Sequence, residues 1–226
     1  MDARPSPVPR KPAEDRRREI ADAALRVIAS RGLGGFTSLA IAREIGLSDA
    51  ALFRHFPSKE AIVDAAIDRV EELLFEAFPP SDADPVARLG AFFQRRVLVI
   101  RDNPGISSLV AGDELAKAGS AAGVRRVAGF RRRSTGFVRE CLSDAHRAGL
   151  LAPGLGVEEA AVVLLGALLA LGHGRVADGA TPVEALAPRV WSALEVFLRG
   201  RRARGARVPR RGPRQPGRRR PRGEKS

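Results

Sequence analysis

Apolar residues recur at helical spacing along most of the chain. In the first such stretch, Ile20, Ala24 and Ile28 fall on one face of a helix predicted from about 13 to 31. Glycine, proline and asparagine clusters separate it from the later stretches. The same periodicity predicts further helices from 59 to near Pro79 and over 85–102, 104–117, 121–148, 157–174 and 183–199. With two short helices between 37 and 56, the pattern predicts an all-α protein of about nine helices.

The two short helices lie in the segment TSLAIAREIGLSDAALFRHFPSK, which covers residues 37–59. Gly46 can adopt the left-handed backbone that ends a helix, and Ser48 can cap the next helix through its hydroxyl. Leu52 and Phe56, four residues apart, would pack on the apolar face of the first helix. Two helices joined by such a turn form a helix-turn-helix, whose second helix can enter a DNA major groove.

The net charge of +13 lies mostly at the two ends of the chain. Residues 201–226 hold eleven arginines, Lys225 and Glu224, and residues 1–18 add a further +3. The 182 residues between them sum to −1, and residues 19–60 carry five basic and five acidic side chains. We expect a disordered arm over 1–13 and a disordered tail over 201–226. The tail would either attract phosphates without sequence preference or be a by-product of biased composition.

Cysteine content and hydropathy indicate a cytoplasmic protein, and binding to DNA through the helix-turn-helix would associate it with the nucleoid. A single cysteine, Cys141, excludes an internal disulfide framework and fits a reducing compartment. The Pro- and Arg-rich start has no signal-sequence pattern. The longest apolar run, 160–172, is too short to span a bilayer, so we expect no membrane association.

Residues 14–76 resemble the DNA-binding domain of the TetR/AcrR family of transcriptional regulators. The resemblance rests on IAREIGLS followed by ALFRHFPSKEAI, after an amphipathic first helix, with the motif itself at 38–57. It implies a three-helix helix-turn-helix domain followed, over 80–200, by a helical domain for effector binding and dimerisation. It also implies a regulator, in most cases a repressor, that binds a palindromic operator in double-stranded DNA as a homodimer and leaves it when a small molecule binds.

The predicted DNA contacts combine helix geometry with the resemblance. Because Leu52 and Phe56 face inward, Arg54 points outward and could bind a guanine edge. The family positions that contact the DNA backbone match the start of the first short helix and Lys59. The family commonly has tyrosine where this chain has Phe53, which loses a hydroxyl donor, and His55 is either a phosphate donor or a partly buried packing residue. The predicted DNA-binding residues are Thr37, Ser38, Ser48, Asp49, Ala50, Ala51, Phe53, Arg54, His55 and Lys59.

The last two predicted helices suggest a second copy as partner. The helix over 157–174 is apolar almost all round, and the helix over 183–199 carries an apolar stripe (Leu186, Val190, Leu194 and Phe197). They either complete the monomer core or form a four-helix seam between two protomers, and we favour the seam because helix-turn-helix proteins bind DNA as two-fold pairs.

An apolar or aromatic effector is expected within 80–200, in a pocket that combines apolar bulk with a few polar groups. Each candidate lining residue is alternatively plain core. The candidates are Phe92, Phe93, Arg96, Leu109, Phe130, Phe137, Leu165 and His173.

No catalytic or metal-binding motif is present in the sequence. The three histidines lie far apart, and HExxH, paired cysteines and a Gly-rich phosphate loop are all missing. We therefore expect no enzyme activity, no metal and no cofactor. The second hypothesis is a DNA-bound structural protein of the same fold, of the nucleoid-occlusion type, which binds a protein partner and no metabolite.

Overall fold

The computed structural model describes residues 12–32, 34–111, 119–172 and 181–200. Every regular element in these ranges is a helix. In chain order the helices are α1 (Ala13–Arg31), α2 (Ser38–Glu44), α3 (Asp49–Phe53), α4 (Lys59–Phe75), α5 (Pro85–Asp102), α6 (Gly105–Ala111), α7 (Ala121–Arg147), α8 (Val157–Gly172) and α9 (Val183–Arg199). The all-α prediction is confirmed, and apart from the end of α6 these starts and ends lie within a few residues of the predicted ones. Most of the predicted arm, all of the tail, residues 112–117 of the sixth predicted helix and residues 173–174 of the eighth lie outside the described residues.

A continuous apolar core joins all the helices. α1 packs on α4 and α6, and α5 packs on α7, α8 and α9. At the α5–α9 contact, the rings of Phe93 and Trp191 are 5.7 Å apart. Trp191 also covers Gly90, where an added Cβ would lie 2.6 Å from the indole ring, so any larger residue there would force the helices apart. α5 is therefore the central helix of the second half of the protein.

Besides the packing of α1 on α6, polar contacts between α4 and α7 connect the first four helices to the rest. Ser120 caps α7 by accepting a hydrogen bond from the amide of Gly123 at 2.9 Å, and its hydroxyl donates to Asp64 of α4, also at 2.9 Å. One turn along α4, Asp68 forms an ion pair with Arg126. Any displacement of α4 therefore acts on polar contacts with α7 as well as on the apolar core.

One side of α8 and α9 is apolar and faces outward. Leu164 and Leu168 of α8 are buried, whereas Val162 is 70% exposed and Val163 is also exposed. On α9, the predicted stripe is half-buried at Leu186 and Val190, buried at Leu194 and 40% exposed at Phe197. The inner part of α9 is formed by Ala187, Trp191, Leu194 and Leu198. The two helices thus complete the monomer core and still expose apolar side chains.

Candidate nucleic-acid interface

The turn between α2 and α3 has the geometry that its sequence predicts. Gly46 has φ +66°, and the amide of Leu47 donates to the carbonyl of Ala42 at 2.8 Å. The amide of Gly46 donates to the carbonyl of Arg43 at 3.4 Å. These two bonds form a Schellman motif, which ends α2 and requires a residue that tolerates positive φ. The chain therefore leaves α2 and starts α3 after four residues.

Three hydroxyl side chains cap the three helices of this region. Thr37, Ser48 and Ser58 each accept a hydrogen bond from the backbone amide three residues ahead, at 3.1 Å in every case. A cap of this kind stabilises a helix by about 1 kcal/mol, which matters for helices as short as α2 and α3. The caps confirm the predicted starts of α2, α3 and α4.

The inner faces of α2 and α3 are fixed by complete burial. Ile41, Leu52 and Phe56 are all 0% exposed, which confirms the predicted inward direction of Leu52 and Phe56. Arg17 of α1 adds a second attachment, because its guanidinium lies 4.3 Å from the Phe56 ring centroid and donates to the carbonyl of His55 at 2.6 Å. The segment that follows α3 is therefore held by α1 as well as by the core.

Most of the predicted contact residues lie on the outer surface. Only Ala51 is buried, at 8% exposure, and it therefore presents little of its side chain to a ligand. The exposed members are Thr37, Ser48, Asp49, Ala50, Phe53, Arg54 and Lys59, and the half-buried ones are Ser38 and His55. The side chains of α3 that point away from the core are thus the ones the helical spacing predicts.

Two large apolar side chains are exposed on the helices of this region. Phe53 is 40% exposed on α3, and Leu39 is 49% exposed on α2. Sequence reasoning missed Leu39, although its position off the buried stripe of Ala40 and Ile41 is a usable signal. Exposed apolar groups among polar ones are typical of surfaces that bind a macromolecule.

Arg54 and Lys59 carry the positive charge of this surface. Within the described ranges, no carboxylate lies within ion-pair distance of either side chain, and Lys59 rests 5.3 Å above the Phe36 ring. Their charges are therefore available to an external anion. Nearby Arg26, by contrast, is paired with Glu44 at 2.9 Å.

The predicted effector residues divide into two groups. Phe92 and Arg96 line a cavity of about 80 Å³ between the end of α4 and α5, next to Phe78. Phe137 packs against both aromatic rings, with centroids 4.9 Å from Phe78 and 5.3 Å from Phe92, and Phe130 lies 5.9 Å from Phe75. These rings form one aromatic cluster, consisting of Phe75, Phe78, Phe92, Phe130 and Phe137.

The remaining predicted effector residues lie elsewhere. Phe93 packs on Trp191, Leu109 is fully buried in α6, and Leu165 is half-buried on α8. His173 lies outside the described residues. Sequence reasoning missed Phe75 and Phe78, because they end α4 and occupy the following turn, where periodicity does not indicate a side chain's direction.

The chemistry of the described residues offers no catalytic cluster. Cys141 is buried, and burial raises the pKa of its thiol to about 11, so the reactive thiolate is scarce at neutral pH. In the parts of the chain that the structure describes, no three His, Cys, Asp or Glu side chains are grouped so that they could hold a metal ion. None of the described helices is long and apolar enough to cross a membrane.

The helix-turn-helix and its neighbouring helices match a family model. The model, described as bacterial regulatory proteins of the tetR family, matches residues 20–66. The nucleoid occlusion factor SlmA of Marinomonas sp. is 30% identical over 154 residues, which cover 67% of this chain and 78% of that protein. The chain belongs to the TetR family. SlmA of Shewanella amazonensis is also 30% identical, over 72% of this chain and 82% of its own length.

Solved structures of TetR-family proteins share the fold. The ketosteroid transcriptional regulator KstR2 of Mycobacterium tuberculosis superposes with a TM-score of 0.69 at 20% identity, over 81% of this chain and 95% of that chain. AibR in complex with isovaleryl coenzyme A and operator DNA superposes with a TM-score of 0.65 at 22% identity, over 81% of this chain and 98% of that chain. The family and the fold confirm the prediction of a DNA-binding regulator of the TetR type.

Proposed function

We propose that this TetR-family protein represses transcription from a palindromic operator and is released by a small-molecule effector. The observation that carries the proposal is the outward surface of α2, α3 and the start of α4, where Arg54 and Lys59 are exposed and lack carboxylate partners among the described residues. Such a surface offers hydrogen-bond donors and positive charge to phosphates and base edges, although residues 19–60 as a whole are electrically neutral.

Each side chain of this surface has a role that its chemistry supports. Arg54 can donate two hydrogen bonds to a guanine, and Ala50 is small enough for contact with a thymine methyl group. The hydroxyls of Thr37 and Ser38 and the ammonium of Lys59 bind phosphates, which fix the position of α3 in the groove. Phe53 supplies apolar contact without the hydroxyl that the family's tyrosine provides.

The palindromic site requires two copies of the chain, and the exposed apolar side of α8 and α9 is the surface we propose between them. Val162 and Val163 are exposed on α8, and Val196 (56%) and Phe197 are exposed on α9. Four helices, two from each protomer, would cover these side chains in a two-fold seam. The seam holds the α3 helices of the two protomers at a fixed separation, as a two-fold operator requires.

We propose that the two predicted domains have separate roles. Residues 14–76 bind DNA, and residues 80–200 bind the effector and the second protomer, with no catalytic step. The two protomers can adopt an arrangement that fits the operator and one that does not. The effector releases the DNA because its affinity for the second arrangement is higher.

A second function is supported by the sequence relatives. Two relatives that match at least two thirds of this chain carry the name nucleoid occlusion factor. This chain would then bind many chromosomal sites and recruit a protein partner, without a metabolite effector. The solved neighbours do not decide between the two functions, because at about 20% identity they show the fold alone.

Selection of DNA by the purified protein, followed by genome-wide footprinting, tests both functions. A regulator should select one palindromic sequence that occurs at a few promoters, and it should no longer bind that sequence when the effector is added. Many dispersed sites that no metabolite affects would support the nucleoid-occlusion role. Selection of DNA without any sequence preference would contradict both.

A further inference from the structure

Arg96 of α5 is a buried charge without an acidic partner. It is 7% exposed and is the one charged side chain classed as buried among the residues that the structure describes. Its guanidinium lies between two rings, 5.3 Å from the Phe75 centroid and 5.0 Å from the Phe92 centroid. Its charged neighbours, Arg95 and Arg133, are positive as well. Burial of a charge without an opposite charge is costly.

The charge of Arg96 persists at neutral pH. Burial, together with the positive charges of Arg95 and Arg133, lowers the pKa of Arg96 to about 10. Its hydrogen bonds are to neutral groups, with Nη1 donating to Ser134 Oγ and Nη2 to the carbonyl of Leu74, both at 3.1 Å. These bonds satisfy donors but leave the charge unbalanced, so a bound anion would gain an interaction that the described protein groups do not supply.

The cavity beside Arg96 has the size of an acidic head group. Its volume is about 80 Å³, which is below the several hundred Å³ of a typical small-molecule pocket. Its walls include Phe78, Phe92 and Val99, and the exposed Ala77, Ala91 and Arg95 lie at its mouth. A carboxylate can fit beside the guanidinium, whereas an apolar body larger than a few carbon atoms must extend to the mouth or displace Phe78.

We propose that the effector is an organic carboxylate with an apolar or aromatic body, and that its carboxylate binds Arg96. The proposal rests on the proposed function, since it names the ligand class of the effector domain. The carboxylate receives the guanidinium's hydrogen bonds, and the aromatic cluster packs on the body. Two arginines line the cavity, but Arg95 is paired with Glu76 at 3.0 Å, so a monocarboxylate matches the remaining charge, that of Arg96.

Binding at Arg96 reaches the DNA-binding domain through Leu74. Leu74 lies in the last turn of α4, where backbone carbonyls have no partner within the helix, and Arg96 supplies a donor to one of them. A carboxylate that takes this donor weakens the attachment of α4 to α5. The first residue of α4 is Lys59, which belongs to the proposed DNA surface. Ligand binding and DNA binding therefore compete for the position of one helix.

The first test is calorimetric titration of the full-length protein, without DNA, with phenylacetate and hexanoate and with their uncharged analogues phenylacetamide and hexanamide. We expect the acids to bind about 10- to 100-fold more tightly than the amides, as for a hydrogen-bonded charge pair. Equal binding of acids and amides, or no binding of either acid at millimolar concentration, would overturn the proposal. This comparison needs no variant.

The second test compares Arg96→Met with Arg95→Met. Methionine fills a similar volume without charge. Arg95 also lines the cavity, but it is exposed and its charge is paired with Glu76 at 3.0 Å, so the comparison separates the unpaired charge from the paired one. Arg96→Met should lose the preference for acids, and Arg95→Met should keep it. An acid preference that survives Arg96→Met would overturn the assignment.

Operator binding separates this proposal from the proposed function. If the chain selects a palindromic site but ignores carboxylates, the ligand class is wrong and the regulator stands. If carboxylates bind through Arg96 but no operator is selected, the ligand site stands and the repressor function fails.

Discussion

Arg17 Nη1 lies 2.6 Å from the backbone oxygen of His55 and links α1 to the segment that follows α3. The same guanidinium lies over the ring of Phe56, so one side chain of α1 contacts the second and third residues after α3. Because α3 is only five residues long, its orientation depends on such external contacts.

Arg17→Ala should therefore weaken operator binding more than it lowers the free energy of unfolding. The lost hydrogen bond and cation–π contact are each worth about 0.5–1.5 kcal/mol, at an exposed site. Fluorescence anisotropy with operator DNA and thermal unfolding measure the two quantities. Arg18→Ala is the control, since Arg18 is also exposed on α1 and its ion pair, among the described residues, is with Glu72 at 3.4 Å and not with the segment after α3. Equal DNA affinity of the two variants would show that Arg17 has no part in positioning α3.

Arg54→Ala tests the base-reading role. Arg54 is exposed on the outer side of α3, and a guanidinium bound to a guanine contributes about 1–3 kcal/mol of discrimination. We expect operator affinity to fall by that amount and base preference to relax at one position of each half-site. Lys59→Ala is the matched comparison, because loss of a phosphate contact weakens binding to all sequences alike. An unchanged footprint and affinity for Arg54→Ala would refute the role.

The helix-turn-helix was predictable because its signals are local. Gly46 and the three hydroxyl caps act within three or four residues of their own positions, so the sequence contains each interaction in full. The end of α5 at Asn103, which precedes Pro104, was predictable for the same reason. α1 was predictable because Ile20 and Ile28, eight residues apart, fall on one face of a helix.

Contacts between distant segments were not predictable. The proximity of Arg96 to Leu74 and Ser134 spans 22 and 38 residues, and no periodicity indicates which helices meet. The same is true of Arg17 and His55, which are 38 residues apart. Burial of Ala51 was also missed, since a small side chain beside Leu52 gives no signal of whether the neighbouring helices cover it.

Asp84 should make stability sensitive to acid. It caps α5 by accepting from the amide of Val86 at 2.8 Å and forms an ion pair with Arg199 of α9. Burial alone would raise its pKa, but the hydrogen bonds from Arg199 and Val86 prevail and lower the pKa below 3.8. A carboxyl whose pKa is depressed by folding adds stability above its unfolded pKa and loses it as the pH falls through the folded pKa.

Asp84→Asn should therefore lower the free energy of unfolding at neutral pH by about 0.2–1 kcal/mol, the usual range for an exposed ion pair. Because asparagine can still cap the helix, the difference from the wild type should shrink as the pH falls below about 4. Urea unfolding at several pH values measures this difference. In an Arg199→Gln background, Asp84→Asn should have a smaller effect, and an equal effect in both backgrounds would show that the ion pair is not its source.

Gly166→Ala tests the proposed seam between protomers. Gly166 is exposed on α8 on the same side as Val162, and an added Cβ would meet no atom within 4 Å in the described protomer. In an isolated protomer, alanine should therefore stabilise the helix by about 0.5–1 kcal/mol. In a close-packed seam the added methyl should instead weaken the dimer.

Sedimentation at a series of protein concentrations measures this dimer. Val162→Asp is the stronger variant, since it places a charge in the seam and should raise the dissociation constant by more than about tenfold. Ala122→Asp, at the exposed start of α7, is the control and should leave the dimer intact. A monomeric wild type at micromolar concentration would rule out the seam.

Deletion of residues 201–226 should reduce binding to non-specific DNA and leave the order of preferred operators unchanged. The segment holds eleven arginines and one lysine against one glutamate, and each phosphate neutralised steepens the salt dependence of binding by about 0.9 in logarithmic slope. Titration of random-sequence DNA at several salt concentrations gives that slope. A chain with glutamine in place of these arginines keeps the length and should behave like the deletion. If the slope is the same for the wild type, the deletion and the glutamine chain, the basic segment contributes nothing to DNA binding.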